Sequence, residues 1–149
     1  MRYFEDYKVG DRKEVGSCRL KRDDIVQFAK MWDPQPFHLD EIDAKSSIFG
    51  ELIASGCHLM AMAINVVSRS PYRGNVLAAV GWDSVRFLLP GRPGDTLTLT
   101  MECIEARASK SRPDRGIVRN KGQFVNQEGN TVMEFIDTIF VGRKPTESE

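Results

Sequence analysis

The chain has 149 residues, 41% hydrophobic and 28% charged, with 21 Lys and Arg balanced by 21 Asp and Glu. Such a length and composition suit one soluble globular domain with its own core. Zero net charge argues against a nucleic-acid or anionic-membrane binder, although a local group of Arg and Lys could still hold an acidic cofactor. Cys18, Cys57 and Cys103 form no CxxC and sit in apolar or alternating surroundings. They read as reduced core residues of a cytosolic protein, with no metal site. The opening MRYFEDYKVGDRKEV has no apolar run of the signal-peptide kind, and the longest apolar stretch, Leu59 to Val67, is far short of a membrane span.

Residues 1–22 read as an entry segment, with a turn at Gly10-Asp11 and a short strand from Val15 to Leu20. Asp23-Asp24 predicts a helix start, with Asp23 as N-cap and Ile25, Phe28, Ala29 and Trp32 at helical spacing. Pro34 stops that helix, because the residue before a proline is pushed out of the α region. Asp33 therefore falls at the helix end. Pro34-Gln35-Pro36 makes a stiff bend from which Phe37 and His38 emerge. Asp40 is placed to cap a short helix within 39–47, and 48–54 reads as irregular.

Ser55 is expected to N-cap the next helix, over residues 57–69. Leu59, Met60, Ala61, Met62, Ala63, Ile64, Val66 and Val67 cover almost every direction of its wheel. A helix apolar all round is buried on all sides, and the remaining chain supplies a sheet to wrap it. Residues 76–89 read as a strand with a bulge or bend at Gly81. Residues 90–95 turn. Thr96 to Ile104 alternates, with Leu97, Leu99, Met101 and Cys103 on one face. A turn at 111–116, a strand at 117–126, a turn at 127–130 and a strand at 131–141 follow, with a polar, frayed tail over 143–149. Helices followed by antiparallel strands give an α+β class, 1–149 as one domain. The simplest arrangement is an antiparallel sheet curled around one helix, the hotdog architecture.

Residues 32–60 hold both histidines, His38 and His58, with Asp33 five residues ahead of His38 and Ser55-Gly56 opening the apolar helix. An acid–base pair on a stiff loop beside a helix N-terminus is what a small acyl-chemistry site needs. Each feature also has a plain structural explanation: a hydrogen-bonded histidine, an aspartate in a turn, a serine at a helix cap. No GxSxG elbow makes Ser55 a nucleophile. His58 either lines the site or packs on the first helix.

The run Asp33-x-Gln35-Pro36-Phe37-His38-x-Asp40, then Phe49-Gly50 and Ile53-Ala54-Ser55-Gly56, resembles the MaoC-like acyl dehydratases, which include the (R)-specific enoyl-CoA hydratases. Val85 to Pro90 and Pro93-Gly94-Asp95 extend the likeness over most of the chain. It departs at Gln35, where that family commonly has Asn, and at Ser55, where many members have His.

The resemblance implies a hotdog fold and a homodimer or dimer-based assembly, with the pantetheine arm of an acyl-CoA or acyl carrier protein entering between subunits. It implies reversible syn addition of water to a trans-2-enoyl thioester, with no metal and no cofactor beyond the carrier. Asp33 and His38 take the catalytic positions. The Gly56 backbone N–H takes that of the oxyanion donor, and Gln35, Phe37, Phe49, Ser55, Cys57 and His58 are candidate substrate contacts. The rival activity on such a fold is a thioesterase, which would use a carboxylate near the central helix. None lies between Gly56 and Val67, and Glu51 precedes it. A non-catalytic acyl-thioester-binding subunit is the third reading.

Overall fold

Alternation from Thr96 onward produces strands with one buried face. The computed structural model describes residues 1–145; residues 146–149, the end of the polar tail, lie outside the described residues. Five strands, β1 (Arg12–Arg19), β2 (Val76–Phe87), β3 (Thr96–Ala108), β4 (Arg115–Val125) and β5 (Thr131–Gly142), form one sheet in the order β1-β3-β4-β5-β2, every pair antiparallel. Helix α4 (Gly56–Arg69) lies in its concave face, as a hotdog requires. Leu97 and Leu99 of β3, Phe124 of β4 and Met133 and Phe135 of β5 pack with Leu59, Ala63 and Val66 of α4 in one core.

One row of that face crosses all five strands: Gly16, Leu99, Phe124, Met133 and Phe87 stand opposite one another in turn. At the β1 end a Cβ on Gly16 would come 3.1 Å from Val66 in the helix. At the β2 end the crowding is reversed, and the Phe87 ring fills the space where a side chain on Gly56 would go. Glycine thus admits the helix at one end of the row and the strand's aromatic ring at the other. Gly16 also carries a positive φ of 152° at the β-bulge between Glu14 and Gly16, a conformation that disfavours a side chain.

Three shorter α-helices precede α4: α1 (Arg22–Trp32), α2 (Pro36–Leu39) and α3 (Glu41–Lys45). Asp40 caps α3 as expected, accepting from the N–H groups of Ile42 at 2.7 Å and Asp43 at 3.1 Å. Asp23 is not the N-cap of α1. The helix begins two residues earlier with Lys21 in that place, and Asp23 and Asp24 occupy the first turn, where their charge still favours the helix dipole. The earlier start lets the Arg22 guanidinium clasp Glu41 of α3. Residues 48–54 are irregular, and the β2 register shifts between Ala79 and Gly81 as the glycine suggested.

Two expectations about burial fail, and for the helix the reason is that none of the described residues covers the β2 side of α4. The helix is buried only along His58, Leu59, Ala63 and Val66; Cys57, Ala61, Ile64 and Asn65 are exposed. Cys57 on that flank is a surface thiol, Cys18 on β1 at the opposite edge of the sheet is half-buried against the core, and Cys103 is buried. β2 itself is exposed along its whole length. Between it and α4 runs a groove of about 300 Å³ lined by Met60, Ile64, Val67, Trp82, Asp137 and Ile139 among others. The start of the tail is not frayed: Lys144 binds Glu5 through its N–H at 3.0 Å and Asp6 through its ammonium at 2.7 Å. No helix among the described residues is long and apolar enough to cross a membrane.

Candidate active site

Two local stops deliver the acid and the base to one point. Pro34 ends α1, leaving Asp33 as its C-cap with an extended φ of −152° and its N–H on the Ala29 carbonyl at 3.0 Å. Pro36 then starts α2 at the position where a missing N–H costs nothing. That single turn carries His38, 5% exposed, back toward Asp33. The distance from His38 Nε2 to Asp33 Oδ2 is 3.4 Å.

His38 Nδ1 lies 2.6 Å from the Ile53 carbonyl oxygen. A carbonyl only accepts, so Nδ1 carries a proton, and Nε2 is the ring nitrogen that faces Asp33. The second tie is to Ser55, which is 1% exposed and donates from Oγ to Asp33 Oδ2 at 2.7 Å. This corrects the N-cap expectation. Ser55 sits in the N-cap position of α4 but makes no side-chain cap bond, because its hydroxyl faces α1. The first-turn N–H groups of α4, Gly56 and Cys57 among them, have no partner within the helix.

His38 and Gly56 open onto one cavity of about 310 Å³. Phe37, Phe49, Ile53, Ala54 and Leu59 line it from one side, and Phe87 to Gly91 from the other. Phe37 stands edge-on to His38 at 4.5 Å and tilted against Phe49 at 5.3 Å. Of the residues singled out in the sequence, His38, Phe37, Phe49 and Gly56 line this cavity. Asp33 reaches it through His38 and Ser55. Gln35 and Cys57 are exposed outside the lining.

His58 faces the other way. Its ring stacks on Phe28 of α1 at 4.7 Å with an interplanar angle of 7°, and its buried Nδ1 has no hydrogen-bond partner. Burial holds its pKa below the ordinary histidine value, with Asp24 pulling weakly the other way. Sequence reasoning missed the Ile53 carbonyl, for which no side-chain pattern exists. It also missed the Phe87–Gly91 wall, whose only signal was an apolar run ending in Pro90.

With the geometry in view, comparison with known proteins decides the family. The model of the MaoC like domain matches residues 6–123. The chain belongs to the MaoC-like domain family. A crystal structure of a MaoC-like dehydratase from Rhodospirillum rubrum superposes on this MaoC-like domain with a TM-score of 0.90 and 36% identity, covering 98% of this chain and 100% of that one. The (R)-specific enoyl-CoA hydratase of Rhodospirillum rubrum is 34% identical over 104 residues, 68% of this chain and 69% of its own. Protein MaoC of Klebsiella aerogenes is 34% identical over 103 residues, 68% of this chain, and the match spans only 30% of that longer protein.

Proposed function

We propose that this MaoC-like domain is an enoyl-thioester hydratase, running in reverse as a 3-hydroxyacyl-thioester dehydratase. The observation that carries the reading is the meeting of Asp33 and His38 beside a cavity that also exposes Gly56 at a helix N-terminus. A water held beside Asp33 and His38 Nε2 can give up a proton to this pair. As its oxygen attacks Cβ of the enoyl thioester, one water proton passes to the dyad. A proton from the dyad arrives at Cα on the same face, which makes the addition syn. Such acid–base assistance is worth about 10²–10⁴-fold. Negative charge gathering on the thioester oxygen is met by the Gly56 N–H, a donor whose loss elsewhere costs about 3–4 kcal/mol. The carrier is coenzyme A or an acyl carrier protein.

The test is hydration of crotonyl-CoA, followed by loss of the enoyl-thioester absorbance, with Asp33→Asn and His38→Ala alongside. Turnover in the wild type and none in either folded variant is expected; full activity in both variants would overturn the assignment.

The thioesterase reading is disfavoured by Glu51, whose carboxylate is engaged with Arg92 and does not line the cavity. Free thiol released from acyl-CoA would restore it. Tight acyl-CoA binding without product from any enoyl thioester would favour a binding subunit.

The working unit in this reading is a homodimer. β2 is an uncovered edge strand carrying Val80, Trp82 and Phe87 at 54%, 49% and 53% exposure, beside the open flank of α4. An apolar edge of that length invites pairing with a second copy. The free thiols of Cys18, Cys57 and Cys103 fit a reducing, cytoplasmic setting.

A further inference from the structure

We propose that Asp95 is a remote positioning residue for His38, acting through two peptide groups; the inference rests on the hydratase reading. Asp95 ends the Pro93-Gly94-Asp95 turn before β3 and is 6% exposed, yet it does not line the cavity. Its two carboxyl oxygens have separate partners. Oδ2 accepts from the Arg92 N–H at 2.9 Å, and Oδ1 accepts from the Gln127 side-chain amide at 3.0 Å.

From Oδ2 a single line of hydrogen bonds leads to the site. The Arg92 N–H and the Gly91 carbonyl are the two ends of one planar peptide group. That carbonyl accepts from the Ala54 N–H at 2.9 Å. The Ala54 N–H and the Ile53 carbonyl are again two ends of one plane, and the Ile53 carbonyl holds His38 Nδ1 at 2.6 Å. All three donors point the same way along the line, toward Asp95, so each bond polarises the next. A peptide plane cannot turn one end without the other. Fixing the Arg92 N–H therefore fixes the tilt of the Ile53 carbonyl, and with it the direction in which His38 presents Nε2 to Asp33. No proton travels along the line; it sets orientation alone.

Packing and charge hold the line in place. A Cβ on Gly91 would come 3.0 Å from both Leu20 and Leu59, so the first plane lies pressed on the core. The Asp95 carbonyl accepts from the Leu20 N–H at 2.8 Å, which ties the turn to the end of β1. At the surface the Arg92 guanidinium clasps Glu51 and joins the same two segments a second time. Every group in the line belongs to one chain, so a partner at β2 is not needed to complete it.

Exchanging the amide and the carboxyl tests the line. Asp95→Asn keeps an oxygen for Arg92 but turns an NH2 toward the Gln127 NH2, whose own amide oxygen is held by the Thr96 N–H at 3.0 Å. Adding Gln127→Glu restores the match, because a carboxylate there accepts from the new amide and from Thr96 alike. The readout is the NMR signal of the His38 ring N–H in isotope-labelled protein, identified by its loss in His38→Ala. In Asp95→Asn that signal is expected to shift and to exchange with solvent about tenfold faster, and kcat for crotonyl-CoA to fall about 10- to 100-fold. The double variant is expected to regain the wild-type signal and most of the turnover. Gln127→Ala decides the matter even where Asp95→Asn fails to fold. It strips one donor from Asp95 at an exposed turn, and the Arg92, Ala54 and His38 N–H signals are expected to move together. A His38 signal unmoved in Gln127→Ala, a folded Asp95→Asn that loses only melting temperature, or a double variant no better than Asp95→Asn would each overturn the inference. If the signals respond as expected but the wild type hydrates no enoyl thioester, the hydratase reading fails and the line from Asp95 to His38 stands.

Discussion

The Ser55 hydroxyl donates to the same carboxylate oxygen of Asp33 that faces His38, at 2.7 Å on one side and 3.4 Å on the other. The start of α4 therefore aims the acid at the end of α1. Ser55→Ala leaves that oxygen without its buried donor, and a hydrogen bond to a charged group is worth about 1.5–3 kcal/mol. If all of that bears on the aim of Asp33, kcat for crotonyl-CoA falls about 10- to 150-fold. KM should change little, because Ser55 does not line the cavity. Steady-state kinetics beside a thermal melt separates misaimed catalysis from simple unfolding.

Gly56 is held to glycine by the Phe87 ring packed where a side chain would sit. Gly56→Ala should destabilise by about 1–3 kcal/mol, as overpacking does, and should lower activity by shifting the oxyanion N–H. Adding Phe87→Ala removes the obstacle. The double variant should melt higher than Gly56→Ala alone and recover part of its turnover; additive losses would show that the two positions do not interact.

His58 gives stability an acid limb. Its native pKa is lowered by burial, so below the unfolded value of about 6.5 the unfolded chain binds a proton that the folded chain resists. Stability contributed by the neutral ring is complete above that value and declines as pH falls through it toward the native one. His58→Phe keeps a ring against Phe28 and removes the orphaned Nδ1. Melting temperatures across pH 5–8 should show a shallower acid slope in the variant, with no loss at the alkaline end. An unchanged slope would mean that His58 does not titrate in this range.

Asp137 has the opposite sign. Burial raises its pKa, against two hydrogen bonds from Asn120 that lower it. The folded state is then penalised as pH rises above the unfolded carboxylate value of about 3.9, and the penalty is complete above the raised native one. Asp137→Asn keeps an acceptor for Asn120 and should raise the melting temperature at neutral pH, with the gain vanishing below pH 4. Melts at both pH values check the sign.

The open edge predicts assembly. Val80→Lys with Trp82→Arg places two cations on β2, where both native residues are about half exposed. Light scattering should report a dimer for the wild type and a monomer for the variant, and a monomeric wild type would remove the proposed homodimer.

Much of this protein was readable from local rules. Pro34 and Pro36 restrict backbone angles whatever surrounds them, so the end of α1 and the bend before His38 followed from the sequence. Alternation from Thr96 to Cys103 gave a buried face because side chains in a strand point to opposite sides in turn. The all-apolar α4 pointed to a wrapping sheet. Tertiary structure alone decided what each polar side chain does within that frame. Ser55 could cap its own helix or reach across to Asp33, and the approach of α1 settled it. His58 could face the cavity or the first helix, and Phe28 took it. The bare flank of α4 was not legible either, because apolar residues on every side state what a helix must bury and not which chain buries it. Which groups meet depends on distances across the fold, and those arise from packing five strands around one helix.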